Sequence, residues 1–144
     1  MSADRRVAAF LTLAGEELGA AKMLAGGAPR QAAYYVQQAA EKAARALLTA
    51  AGIPFGTGHN LGLMASALPA GHPLKQRVAG LDRHSGAATL YRYPSPVGRL
   101  PPPPDVATVK ADIADAEAFL AEVRAYLGTA LGSDRHQGGE SSEP

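Results

Sequence analysis

Residues 34–48 read Tyr34-Tyr35-Val36-Gln37-Gln38-Ala39-Ala40-Glu41-Lys42-Ala43-Ala44-Arg45-Ala46-Leu47-Leu48. The segment reads as a helix, and its polar residues are not scattered around it. At about 100° per residue, Tyr34, Gln38, Glu41 and Arg45 fall within roughly 60° of one another. Val36, Ala40, Ala43 and Leu47 take the opposite side. Glu41 and Arg45 form an (i, i+4) pair of favourable orientation, which by itself contributes only about 0.2–0.5 kcal/mol. Such a pair describes an ordinary solvated face. It leaves the tyrosine and the glutamine unexplained.

Helical signals continue on both sides. Val7, Leu11, Ala14, Leu18, Ala21 and Ala25 repeat at spacings of four and three, so a first helix is expected over residues 3–25. Gly26-Gly27-Ala28-Pro29 stops it, and Pro29 suits the first position of the next helix, which ends near Gly52. A loop follows over residues 53–59. Asn60 can cap a short helix over residues 61–68. Pro73 can start a fourth, with Leu74, Val78 and Leu81 on one side; Gly86 weakens it, and it must end before Pro94.

Residues 95–104 hold five prolines, four of them in a row, and read as a stiff extended connector. Asp105 caps the last helix, whose seam is Val106, Val109, Ile113, Ala116, Leu120, Val123, Leu127 and Ala130. No segment alternates like a strand. The expected fold is therefore all-α: an antiparallel up-and-down bundle of four long or medium helices plus one short helix. Residues 1–131 form the bundle, and residues 132–144, polar and glycine-rich, form a disordered tail.

Composition narrows the function classes. The chain has 144 residues, enough for one domain with a real core. It has no cysteine, which excludes disulfides, thiolate metal sites and cysteine nucleophiles. No signal peptide is expected, since Glu16 and Glu17 interrupt the apolar pattern near the N-terminus. No apolar run approaches the roughly 20 residues that span a bilayer. A cytoplasmic location without membrane association is expected.

The net charge of +1 hides an uneven distribution. Lys75, Arg77, Arg83, Arg92 and Arg99 face only Asp82 between residues 74 and 100. Asp105, Asp112, Asp115, Glu117 and Glu122 then dominate residues 105–124. The two segments can neutralise each other, or the basic one can meet phosphate or an acidic partner.

Catalytic signatures are sparse. There is no dinucleotide fingerprint, P-loop or nucleophile elbow. His59, His72, His84 and His136 lack metal-ligand spacing, so neither metal nor cofactor is expected. Glu16 and Glu17 are adjacent, diverge on a helix and cannot act as a carboxylate pair. Two other groups remain. Arg92-Tyr93-Pro94 places a cation beside a planar ring at a helix end, which can hold a phosphate and a base. Arg77, His84 and Tyr91, spaced by seven, can share a helix face and place an acid/base group near a phosphate-binding arginine.

Three motifs in order resemble the HEPN domain family. Gln38-Ala39-Ala40-Glu41-Lys42-Ala43-Ala44-Arg45-Ala46-Leu47-Leu48 is similar to its Q-A-x-E-K-x-x-K-A-L-L signature. His59-Asn60-Leu61 is similar to its T-H-[DN]-L element, and Arg92-Tyr93-Pro94 to its R-Y-P element. The resemblance covers residues 5–130. Departures are Gly58 in place of threonine, Arg45 in place of lysine, and the proline-rich insertion.

The resemblance implies a bundle of about five helices that pairs as a homodimer and is associated with nucleotide or RNA binding. Many prokaryotic members are encoded beside a minimal nucleotidyltransferase, as toxin–antitoxin pairs. Catalytic members are metal-independent ribonucleases with an R-x4-6-H motif. In such a motif the arginine stabilises phosphoryl charge and the histidine moves the proton of the 2′-hydroxyl. Here no histidine lies between Tyr93 and Arg99, so Arg92 lacks that partner. Arg77 and His84 satisfy the spacing literally, but ahead of the R-Y-P element.

The leading expectation is a non-catalytic nucleotide- or RNA-binding module that acts with a nucleotidyltransferase. Its ligand-binding groove would be lined by Gln38, Glu41, Arg45, Arg92 and Tyr93. A ribonuclease toxin using Arg77 and His84 is one alternative. A purely structural dimer, built on the alanine-rich faces and long apolar stripes, is another.

Overall fold

The computed structural model describes residues 3–137, with side chains except those at 88, 89 and 129–137. The elements are α1 (Ala3–Leu24), α2 (Pro29–Ala50), α3 (Leu61–Ala67), α4 (Lys75–Gly80), a 3-10 turn (Asp82–His84), α5 (Ala87–Leu90) and α6 (Val106–Gln137). The described chain is all-α, as the hydrophobic periodicity predicts, and α1, α2 and α6 form the frame of an antiparallel bundle.

The frame packs closely because its faces are small. Ala14 and Ala21 of α1 and Ala32, Ala40, Ala43, Ala44 and Ala46 of α2 are buried, so the two helices share an extensive contact. Larger side chains fill the space where α6 and the shorter helices close over α2. Leu47, Leu48, Leu61, Met64, Leu81 and Phe119 are essentially inaccessible. The expected seam of α6 is buried from Val109 to Leu127, with Val106 only half-buried; Ala130 lies outside the described side chains. Phe119, absent from that seam, sits beside Leu120 and reaches the core as well.

Three local expectations change. The fourth helix is not continuous: it divides into α4, the 3-10 turn and α5, with breaks near Leu81 and Gly86. Its apolar residues Val78 and Leu81 still reach the core, but Arg77, His84 and Tyr91 no longer share one helical register. The proline-rich segment is not extended throughout. A tight turn at residues 95–99 is closed by Ser95 N–H to Arg99 O (2.8 Å) and Gly98 N–H to Ser95 O (2.8 Å). The segment is then tied to α2 by Arg30, whose guanidinium donates to Pro101 O at 2.5 Å. Finally, α6 runs to Gln137, into the stretch expected to be tail; residues 138–144 lie outside the described residues.

Helix ends explain how the loops are aimed. Gly52 has φ +71°, and Ile53 N–H reaches back to Leu48 O at 2.9 Å. This left-handed stop, natural for glycine, turns the chain at 53–59 back along α2. As its sequence suggests, Asn60 caps α3: its Oδ1 accepts from Leu63 N–H at 3.0 Å.

Candidate nucleotide-binding recess

The polar face of α2 has a buried centre. Glu41 is only 4% exposed. Its Oε1 accepts from Arg45 Nε at 3.0 Å, and its Oε2 accepts from Gln37 Nε2 at 3.1 Å. His59 Nδ1 lies 2.7 Å from the same Oε2. A buried carboxylate needs such donors, because an unpaired charge there costs on the order of several kcal/mol. With a carboxylate as acceptor, Nδ1 carries the proton, and the Nε2 edge of the exposed ring is left for other partners.

The same cluster fixes the 53–59 loop. Arg45 donates from its second nitrogen to Gly58 O at 2.6 Å, and Gln37 Nε2 also reaches His59 O at 3.4 Å. Gln38 donates to Gln37 Oε1 at 2.8 Å and accepts from Lys42 Nζ at 3.4 Å. Lys42 in turn pairs with Glu17 of α1. Glu41 therefore acts on the loop rather than on solvent.

The loop end and the R-Y-P turn meet over α2. Arg92 donates to the Tyr34 hydroxyl at 3.3 Å, and its guanidinium carbon lies 5.4 Å from the Tyr34 ring centre and 5.5 Å from that of Tyr93. These distances fall within the reach of cation–π attraction. Tyr34, Gln38, His59, Asn60, Ser85, Arg92 and Tyr93 line a recess of about 420 Å³.

Its floor is built by contacts to the first turn of α3. Ser85 Oγ accepts from Leu61 N–H at 3.0 Å, and Asp82 Oδ1 accepts from Gly62 N–H at 2.9 Å. Ser85 also donates to Asp82 Oδ1 at 3.0 Å. A Cβ on Gly62 would come within 3.0–3.1 Å of Asn60 Oδ1 and Asp82, so a larger residue here would crowd both capping side chains.

Of the five residues expected to line a groove, the structure brings Gln38, Arg92 and Tyr93 to one recess. Glu41 lies beneath it. Arg45 faces a different recess, with its guanidinium 5.4 Å from the Phe55 ring centre. Sequence reasoning passed over Gln37, which is fully buried and bridges Glu41 to the loop. Its signal was available: Gln37, Glu41 and Arg45 follow one another at spacings of four.

Arg77 and His84 lie elsewhere, against α6. Arg77 pairs with Asp115 Oδ1 (2.9 Å) and Glu122 Oε2 (3.2 Å), donates to Asp115 O (3.1 Å), and sits over Phe119. Burial favours its neutral form, but the bonds and charges of Asp115 and Glu122 outweigh this and hold its pKa above the ordinary arginine value. Burial also works against the charged form of Asp115. Hydrogen bonding and charge from Arg77, and then from Arg83, prevail and keep that carboxyl below its ordinary range.

His84 is 6% exposed, with Nε2 3.8 Å from Asp115 Oδ2. Burial lowers its pKa despite Asp112 and Asp115 nearby, and Arg83 adds to the lowering. Arg83 pairs with Asp115 at 2.8 Å and Asp112 at 3.5 Å. Part of the basic segment is thus neutralised by the acidic helix. Arg92 is turned instead toward the recess. Among the described residues, no group of three His, Cys, Asp or Glu is placed to hold a metal ion, and no helix is long and apolar enough to cross a membrane.

The family model of the HEPN domain matches residues 8–126, most of the chain. The chain belongs to the HEPN family. The matched span contains the α2 signature, His59-Asn60 and the R-Y-P turn, so the recess is part of the HEPN domain itself. Membership places the protein among nucleotide- and RNA-related modules. Comparison with curated proteins and with solved structures found no match.

Proposed function

We propose that this HEPN domain is a non-catalytic module that binds a nucleotide or RNA in the Arg92 recess and acts as a homodimer beside a nucleotidyltransferase. One observation carries the reading. Arg92 sits within cation–π distance of both Tyr34 and Tyr93 at the edge of a recess that also offers Gln38 and the His59 ring. A guanidinium provides a planar donor for phosphate. The tyrosines and histidine offer flat faces to a base, and Gln38 adds an amide. The volume, about 420 Å³, lies in the range of small-ligand pockets.

The non-catalytic part of the proposal rests on where the other charged groups are engaged. The Arg77 guanidinium is held by two carboxylates, and His84 is buried against α6. Neither supplies an open acid/base pair of the kind phosphodiester cleavage uses.

Binding of a mononucleotide and of a short single-stranded RNA to the full chain tests the proposal, with Arg92→Ala as the variant. The expected result is binding that weakens at least about tenfold in the variant, the scale of losing a hydrogen bond to a charged group. Equal affinities for wild type and variant, or no binding by wild type, would overturn it. Cleavage of the RNA by wild type would overturn its non-catalytic part.

A further inference from the structure

A second recess, of about 560 Å³, lies at the other end of the same loop. Ile53, Pro54 and Phe55, at the start of the 53–59 loop, line it; His59, at the loop's end, lines the Arg92 recess. Its other walls include Arg6 and Phe10 of α1 and Arg45 of α2. The Arg45 guanidinium lies 5.4 Å from the Phe55 ring centre and donates to Gly58 O, one residue before His59. Arg45 therefore lines the second recess and, through Gly58, holds the loop residue next to His59 of the first.

The chemistry repeats on either side of the loop. One recess has Arg6, Arg45, Phe10 and Phe55; the other has Arg92, Tyr34, Tyr93 and the His59 ring. No carboxylate lines either one. Among the described residues neither Arg6 nor Arg92 is in an ion pair. Arg45 is already paired with Glu41, so Arg6 and Arg92 are the cations left to meet phosphate. One such cation beside aromatic rings in each recess is the pattern that follows a single-stranded polynucleotide, with bases stacked on the rings. A mononucleotide has one base and fills one recess. Two recesses at the two ends of one short loop can take different nucleotides of one strand.

We infer that the Arg6–Phe10–Arg45–Phe55 recess is a second nucleotide subsite, so that the ligand is a single-stranded polynucleotide crossing the 53–59 loop. This rests on the Arg92 recess being the first subsite. The distinction from a mononucleotide ligand follows from the second recess alone.

The test measures binding of hexauridylate, hexathymidylate and uridine monophosphate to the full chain, its Phe55→Ala and Arg6→Gln variants, and Arg92→Ala. Wild type binds the hexamers more tightly than the monophosphate. Phe55→Ala weakens hexamer binding by roughly 5- to 100-fold, the range for one lost stacking platform, and weakens monophosphate binding by less. Arg6→Gln lowers the slope of log affinity against log salt by about 0.7, one phosphate contact on a single strand.

Arg6 is exposed on the first turn of α1, so this variant keeps the test decisive if Phe55→Ala fails to fold. Equal binding of RNA and DNA hexamers supports recognition by stacking and charge; preference for RNA supports the same path with added contacts to 2′-hydroxyls. If both variants bind hexamers like wild type while Arg92→Ala does not, the second subsite is refuted and the first stands. If wild type binds none of the probes, both fail.

Discussion

Replacing Glu41 by alanine removes the acceptor on which three donors converge, and the cost can be worked from the contacts. Arg45 Nε, Gln37 Nε2 and His59 Nδ1 lie at 3.0, 3.1 and 2.7 Å from its two oxygens. Arg45 is the charged partner, and its side chain is only 16% exposed. Removing one member of a buried ion pair costs about 3–5 kcal/mol, chiefly through the charge left behind. Two losses are softened. His59 is open to water, and Gln37 keeps its bonds to Gln38 and His59 O.

A loss of about 3–4 kcal/mol is therefore expected for Glu41→Ala. At roughly 2–4 °C per kcal/mol for a chain of this size, Tm falls by about 6–16 °C. Thermal unfolding followed by far-UV circular dichroism measures it. Glu41→Gln keeps the shape and one acceptor, and is expected to lose about half as much, on the order of 1–2 kcal/mol.

Amide hydrogen exchange at residues 56–60 supplies a second readout, because Arg45 and Gln37 hold that loop through the carbonyls of Gly58 and His59. Exchange there should rise more than in α1. A Glu41→Ala protein that melts within a degree or so of wild type, with unchanged exchange in the loop, would refute the claim that this carboxylate holds the loop.

Other perturbations reach different parts of the same design. Gly62→Ala is expected to change stability by no more than about 1 kcal/mol, because Asn60 and Asp82 must give by a few tenths of an ångström while alanine favours the helix; the midpoint of chemical denaturation reads the balance. Asn60→Ala removes the Leu63 cap and is expected to cost about 0.5–2 kcal/mol by the same measurement, while Asn60→Asp retains most of it.

His84 gives a pH dependence. Its folded pKa lies below the ordinary value near 6.5, so on acidification the unfolded chain takes up a proton before the folded one does, and stability falls as pH drops through about 6.5. His72 is shifted the same way by burial and adds to this loss. Asp115, lowered in the fold, contributes stability that is present above its ordinary range and lost at lower pH as it protonates. Stability measured from pH 7.5 to 5 should therefore decline, and the slope should be shallower in His84→Gln. An unchanged slope would remove the assignment.

The pattern along α2 made much of the fold legible. Its alanine side predicted close packing, and every one of Val36, Ala40, Ala43 and Leu47 is buried. The spacing along α1 and α6 likewise gave their core faces, because the helical repeat is a property of the chain itself. The middle of the chain was harder. Periodicity from Leu74 to Leu81 favoured one helix, but three short pieces form because residues 82–85 turn to cap α3, and tertiary contacts compensate for the lost continuity. The burial of Phe119 beside Leu120 was also hidden, since a helix clasped from more than one direction buries more than a single stripe.

The amino-acid sequence by itself determined an all-α chain of the HEPN family, the helices that form its frame, and a polar stripe running from Tyr34 to Arg45 on α2. Local backbone repeats and short motifs are enough for that much. Only the tertiary structure decided what the stripe does. Burial turned Glu41 inward as the acceptor that holds His59 and the loop, left Arg45 facing Phe55, and brought Arg92 from 58 positions away to Tyr34. Helical spacing tells which side chains share a face. Whether that face meets water, a loop or a recess depends on chain segments distant in sequence, whose packing no local pattern encodes.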